Sequence, residues 1–243
     1  MKESAAIRRF FSGFKKTPFH PQWFVFKDEK SALEEIAQSA QGCVLDLGAG
    51  TQKIRGFLSP SCEYISLDYY ETATQWYETI PSVFGDAAAL PFPKDSMNTV
   101  LLLDVLEHLP DPEMCLKEVH RVLMTDGKLI FQVPFLYPLH DVPYDFQRWT
   151  LFGLHRLAQN HHFQIEIEKG LNHHLESAAL LSNLALSKTL IRWASDRNLL
   201  LSLGIFFPFI ILYNNLHAWV FARLSTEDPF MPTGYRMVWI KKE

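Results

Sequence analysis

Cysteine is scarce: three residues in 243, at Cys43, Cys62 and Cys115, with no C-x-x-C pair and no His/Cys cluster at ligand spacing. Neither a disulfide framework nor a structural zinc site is expected, and a reducing compartment fits. A basic excess is also missing, since 23 Lys and Arg face 27 Asp and Glu for a formal net charge of −4. That balance argues against nucleic acid as a partner. Fourteen prolines and eleven glycines exclude a collagenous or low-complexity chain. The first sixteen residues lack the apolar run and small-residue cleavage site of a signal peptide, so a cytoplasmic location is expected. What is present is 48% hydrophobic residues, and a chain of this length can bury one sizeable core.

Short apolar runs alternate with helical patterns. Cys43 to Leu47, Tyr64 to Leu67, Val83-Phe84, Thr99 to Leu103, Lys128 to Val133, Phe163 to Glu168 and Tyr235 to Lys241 read as strands. Lys27 to Ala40, Pro112 to Met124 with Asp111 as cap, and the stretch from Thr150 through Asn160 read as helices. Such alternation predicts an α/β fold with a doubly wound, mostly parallel sheet. No linker divides the chain, so 1–243 is expected to be a single domain. Its parts are a basic, aromatic arm (1–26), a core (27–169), an apolar helical insertion (170–233) and a final strand (234–243). In sheets of this kind the ligand lies beyond the carboxyl ends of the strands.

Those ends are rich in acids. The first strand runs into Asp46-Leu47-Gly48-Ala49-Gly50, where two glycines let backbone approach a ligand. Lys53 stands where a dinucleotide fingerprint wants a third glycine, which weakens a dehydrogenase reading. Asp68 ends the second strand, where a carboxylate can accept both hydroxyls of a ribose. Gly85-Asp86-Ala87 follows the third strand, and Asp104 ends the fourth. A single acid at a strand end is usually a cap; four at successive ends point to one shared rim.

The strings V-L-D-L-G-A-G, S-L-D-Y-Y, G-D-A-A-A-L-P-F, L-L-L-D-V-L-E-H-L and E-V-H-R-V-L-M-T-D-G-K-L-I-F, over about residues 40 to 135, resemble the class I S-adenosylmethionine-dependent methyltransferases. The resemblance implies a Rossmann-like, seven-stranded sheet ordered 3-2-1-4-5-7-6, its last strand antiparallel, with the helical insertion before that strand. It also implies S-adenosylmethionine as cofactor and no metal. Asp46, Gly48 and Gly50 would line the methionine end, Asp68 would hold the ribose, and Asp86 with Ala87 the adenine. Asp104 and Val105 would close the site, with Glu107-His108 just beyond. Gln52 departs from the commoner glycine there.

After the fifth strand comes P-F-L-Y-P-L-H-D-V-P-Y-D-F-Q-R-W-T, Pro134 to Thr150. A similar H-D-x-P-x-D-F-x-R-x-T loop occurs in a subgroup of these methyltransferases, some associated with glycan or lipid modification. A hydroxyl acceptor must lose its proton, work suited to histidine. His140 is therefore the expected general base, oriented by Asp141, with His108 as rival, while Tyr144, Asp145 and Arg148 would hold the acceptor. Asp145 and Arg148 can equally be an i,i+3 pair and Thr150 a cap. The His161-His162 and His173-His174 pairs are expected to pack or face solvent.

The expected activity is methyl transfer to a small-molecule, glycan or lipid-linked acceptor, most simply at oxygen. The alternatives are a nicotinamide-dependent oxidoreductase and a catalytically silent, cofactor-binding subunit. Two features bear on partners. Ile7, Phe10, Phe11 and Phe14 form one helical stripe beside basic residues. Asn198 to Ala222 carries no Asp, Glu, Lys or Arg, long enough as a helix to cross a bilayer but interrupted by Pro208, Asn214, Asn215 and His217. Three readings stay open for that run: a buried cap helix, a homodimer surface, or a helix in a membrane interface.

Overall fold

The structure, a computed structural model, describes residues 14–226 and 230–242. Two compact units emerge, residues 32–171 with 234–243, and residues 1–31 with 172–233.

The first unit holds a seven-stranded sheet of β1 (Cys43–Leu47), β2 (Glu63–Asp68), β3 (Val83–Phe84), β4 (Met97–Leu103), β5 (Leu123–Pro134), β6 (Phe163–Leu171) and β7 (Gly234–Lys241). Their order is β3-β2-β1-β4-β5-β7-β6. The neighbours from β3 to β5 run parallel, and β7 is antiparallel to both β5 and β6. This is the topology expected of the Rossmann-like methyltransferase sheet.

The apolar runs explain the layers. In β4, Val100, Leu101 and Leu102 are all fully buried. Val100 and Leu102 enter one core with Leu45, Leu47, Leu129 and Phe131, whereas Leu101 enters the other with Val44 and Ile130. A strand covered on both faces must be apolar at every position, which is why T-V-L-L-L shows no alternation. The first core is closed by α3 (Pro112–Val122), through Cys115, Leu116, Val119 and Val122, and by α4 (Leu151–Asn160), through Leu154, Leu157 and Ala158. The second is closed by Ile36 and Ala37 of α2 (Glu29–Ser39). Asp111 caps α3 by accepting from the Met114 amide at 3.0 Å, and Thr150 caps α4 by accepting from Gly153 at 3.1 Å. Leu123 pairs with Met97, so the sheet claims it and α3 ends at Val122, two residues before the expected Met124.

The second unit contains α1 (Trp23–Phe26), α5 (His174–Ser195), a 3₁₀ segment Leu199–Phe206 and α6 (Phe207–Leu224). His173 caps α5 in a reciprocal box with Glu176, which assigns that histidine a structural role. Pro208 falls in the first turn of α6, where its missing N–H costs no hydrogen bond. Asn183 donates to Asn215 at 2.9 Å, Asn214 donates to Asn183 at 3.0 Å, and Asn215 donates to the Pro18 carbonyl at 2.7 Å. The polar interruptions are thus satisfied within the unit. The expectation of a buried cap helix is not met: only 17% of the most apolar part of Leu199–Leu224 is buried. Of the aromatic N-terminal stripe, Ile7, Phe10 and Phe11 lie outside the described residues, and Phe14 is exposed.

Candidate active site

The strand ends of the first unit carry the chemistry. After β1 the backbone adopts left-handed conformations at Gly48 (φ 65°) and Gly50 (φ 48°). At Gly48 space is as restrictive as conformation. A Cβ on Gly48 would stand 2.6 Å from the Val105 side chain, and one on Gly50 would touch the Tyr77 ring at 3.4 Å. The loop is drawn onto β2 by Asp68, whose carboxylate accepts from the Gly50 amide and the Tyr69 amide, each at 2.8 Å. Burial pushes the Asp68 carboxyl upward, against the lowering effect of those two amides.

Tyr77 shows which acids converge. It closes a π-helical turn, Thr72–Tyr77, that follows β2, a backbone form common at functional sites. Burial raises its phenol, and the charges of Asp141, Asp68, Asp104 and Glu107 raise it further. Asp68, Asp104 and Asp141, all singled out from the sequence, therefore share one neighbourhood. Asp104 holds a left-handed conformation (φ 56°) and accepts from Gln132 Nε2 at 3.0 Å. The Gln132 carbonyl accepts from Arg236, which in turn pairs with Glu35 at 3.0 Å. The surrounding protein and then the Glu107 charge push Asp104 above the ordinary carboxylate range, although its side chain reaches solvent.

Asp46 sits differently. It is buried beneath the loop and accepts the Tyr64 hydroxyl at 2.6 Å, and its carboxyl is pushed up to about 6 by burial, partly offset by that hydrogen bond. Asp86 lies at the end of β3, exposed, its carboxylate capping its own turn through the Ala88 amide at 2.8 Å, with Ala87 buried beside it.

The loop after β5 folds against the 3₁₀ turn Leu106–His108, with the Phe146 amide donating to the Glu107 carbonyl and Gln147 to that of Leu109, each at 3.0 Å. This brings His140 to His108, ring centroids 4.8 Å apart. Both Nε2 atoms stand 3.7 Å from Glu107 Oε1. Glu107 is fully buried, and neither of its carboxylate oxygens has a hydrogen-bond partner. The other ring nitrogens are held: His108 Nδ1 by the Tyr144 carbonyl at 2.9 Å and His140 Nδ1 by the Pro138 carbonyl at 3.3 Å, with the Asp145 carboxylate 3.2 Å away. The Glu107 carboxylate 3.7 Å away, opposed by burial, raises the His140 pKa.

Two expected roles move. Asp141 does not orient His140; it turns toward His108 Nε2, 3.9 Å away. The orienting carboxylate is Asp145, buried, bonded through both oxygens to Arg148 and accepting from the His140 amide at 3.0 Å. Arg148 holds Asp145 down to about 2. Asp145 and Arg148 are thus spent on each other, not free for an acceptor. Tyr144 remains exposed, its ring 5.9 Å from that of Trp76, and the pair forms an aromatic lip. Trp76, Tyr77 and the buried Glu107 have no place in the sequence-based site except for Glu107's mention beyond Asp104. Their one signal is proximity to Asp68 and Asp104 in the chain.

Residues 45–131 match a protein-family model described as a methyltransferase domain. The ubiquinone/menaquinone biosynthesis C-methyltransferase of Hahella chejuensis is 27% identical over 154 residues, 55% of this chain and 59% of that protein. The crystal structure of the YcgJ protein from Bacillus subtilis superposes with a TM-score of 0.51 at 19% identity, covering 88% of this chain and 99% of that one. The cyclase SpnF superposes at 0.54 and 15% identity, covering 88% and 80%. The chain spans between 34% and 59% of the length of the curated relatives it matches. These neighbours share the fold; SpnF, named as a cyclase, shows that the fold alone does not fix the reaction.

Proposed function

We propose, from the match of residues 45–131 to a methyltransferase-domain family model, that the chain transfers a methyl group from S-adenosylmethionine to an oxygen of a small-molecule, glycan or lipid-linked acceptor. The reading rests most on one observation: the Asp68 carboxylate holds the glycine turn through the Gly50 amide at 2.8 Å, and a Cβ on Gly48 would stand 2.6 Å from the Val105 side chain. That cradle fits a nucleoside, with backbone close enough to touch it and acids to accept its hydroxyls. Asp68 would take the ribose, and Gly48, Gly50, Asp104 and Val105 would line the remainder, with Asp46 supporting the turn from below. Asp86 and Ala87 would meet the adenine. When bound, the cofactor supplies a methyl group on a cationic sulfur, open to in-line attack.

The chain's own work is orientation and proton removal. With Nδ1 of His140 committed to the Pro138 carbonyl beside Asp145, the Nε2 lone pair is the basic site. Arg148 fixes Asp145 and so fixes the ring. When Nε2 accepts the acceptor's proton, the Glu107 carboxylate 3.7 Å away compensates the imidazolium. His140→Ala is expected to cut transfer about 10²–10⁴-fold while leaving the dissociation constant for S-adenosylhomocysteine within threefold. Radiolabelled cofactor with fractionated cell extract measures the first and titration calorimetry the second. Retained transfer in the variant would move the base elsewhere, His108 first.

The competing classes separate in the same calorimeter. Binding of S-adenosylhomocysteine without NADH is the expected result; NADH binding alone would make the chain an oxidoreductase. Cofactor binding with no labelled product from any fraction would make it a silent subunit.

A second reading has one observation in its favour. Glu107, His108 and His140 offer ligand atoms all within 4.8 Å of one another, and both imidazoles are held from behind as metal ligands usually are. Two histidines and a carboxylate suit a first-row divalent cation, which would acidify the acceptor hydroxyl in place of a base. Under the base reading, dialysis against EDTA leaves turnover within twofold. A loss of about tenfold or more, restored by Zn²⁺ or Mn²⁺, would assign the cluster to a cation.

A further inference from the structure

The unit formed by residues 1–31 and 172–233 buries little and exposes much. Its described core consists of Trp23, Phe24, Ala179 and Ala218, with Leu175 and Trp219 packed on it. Leu199, Ile205, Phe206, Phe209, Tyr213 and Leu224 are each more than half exposed. Scattered exposed apolar residues are ordinary, but a continuous run is not. No residue of Leu199–Phe206 is buried, and the stretch Leu199–Leu224 reaches a mean hydropathy of 1.9. On α6 only the stripe Phe207, Ile211, Asn215 and Ala218 turns inward.

Charge says what covers this face. The unit holds eleven Lys and Arg against seven Asp and Glu, while the remainder holds twelve against twenty. The acidic chain therefore carries a basic unit, and within it the uncharged run 198–222 is bracketed by cations. Lys188, Arg192 and Arg197 precede it, with Asp196 paired to Arg192 at 2.8 Å, and Arg223 follows, all four cations exposed. Arg223 stacks on Trp219 at 3.8 Å, the amphipathic pairing favoured where water meets acyl chains. A second copy of the chain would bring two positive faces together; an anionic bilayer complements the face in both hydrophobicity and charge. A single crossing is closed off by topology. Leu171 and Gly234, which flank the insertion, are paired across β6 and β7, so the chain returns to where it left.

We infer that this unit docks on the surface of a bilayer containing anionic lipid. The 3₁₀ segment and the outward face of α6 lie at the headgroup–acyl boundary, and Lys188, Arg192, Arg197 and Arg223 meet headgroup phosphates. The inference stands independently of the methyl-transfer reading.

The test is flotation of the full chain with vesicles of phosphatidylcholine, with and without about 30% phosphatidylglycerol. The expected result is flotation with the anionic vesicles and weaker flotation with the neutral ones, reduced by salt. In L199E/I205E/F209E, all at exposed positions, partitioning falls about a hundredfold, with helical circular dichroism and S-adenosylhomocysteine binding unchanged. A wild-type chain that stays at the bottom with both vesicles overturns the inference, as does a triple variant that floats like wild type. A dimer in sedimentation velocity that the triple variant dissolves, without flotation, assigns the face to a second copy and overturns it too.

Discussion

Asp68→Ala is expected to weaken S-adenosylhomocysteine binding by about a hundredfold or more, the equivalent of about 2.7 kcal/mol. Two losses combine. The carboxylate accepts two amide hydrogen bonds at 2.8 Å, from Gly50 and Tyr69, and bonds to a charged acceptor contribute about 1.5–3 kcal/mol each. Without them the glycine turn has nothing to hold it against β2, and two N–H groups beside a buried position lose their partner. The variant also lacks the acceptor proposed for the ribose hydroxyls, which Asp68→Asn would restore only in part, since an amide oxygen replaces one of two equivalent acceptors. The order wild type, Asn, Ala in calorimetric affinity is therefore expected, with the sheet intact by circular dichroism. Gly48→Ala probes the same cradle sterically: its Cβ meets Val105 at 2.6 Å, and Val105→Ala in the same chain should recover part of the loss. An Asp68→Ala protein that binds within threefold of wild type would remove the nucleoside cradle from the argument.

Much of that cradle was legible because parallel sheets place every strand end on one rim. The string V-L-D-L-G-A-G carries a strand, a turn and its acid within seven residues, and Cys43–Leu47 folds as read. The acids at 68 and 104 needed only the strand boundaries to be right. What was illegible lies in contacts that no local pattern encodes. His108 and His140 are separated by 32 positions in sequence yet meet edge to face, because the loop after β5 is tied to the turn after β4 by backbone bonds. The exchange of roles between Asp141 and Asp145 has the same origin. Both acids precede Arg148 in one short loop, and only the folded loop decides which faces the imidazole. Asp46, read as a rim acid, is buried and accepts the hydroxyl of Tyr64 on the neighbouring strand, a contact that no local pattern announces. In the other unit, the apolar run 198–222 announced itself, but composition alone could not tell a core helix from an exposed one.

Glu107→Leu is expected to make the protein more stable and unable to turn over. The wild-type carboxylate is fully buried with both oxygens unpartnered, its nearest compensation being two imidazoles at 3.7 Å. Replacing a buried carboxylate that lacks hydrogen-bond partners by an apolar side chain of similar size removes its desolvation cost, and a chain of this length gains about 2–4 °C per kcal/mol. The gain depends on pH in a defined direction. The folded pKa of His140 lies above its ordinary 6.5, chiefly because of Glu107. The pair therefore contributes stability that is fully present below 6.5 and is lost as pH rises through the elevated folded value. Well above that folded value the imidazole is neutral and the carboxylate loses its compensation, so the variant should melt several degrees higher. At pH 6 the wild type regains its ion pair and the difference should shrink. Imidazole NMR supplies the matching readout, with the His140 midpoint above 6.5 in wild type and lower in Glu107→Gln. A buried acid kept for packing would give the opposite thermal result, a variant that melts lower at both pH values. The pairing of gained stability with lost transfer is what separates a site held under electrostatic strain for catalysis from a polar residue that merely ended up inside.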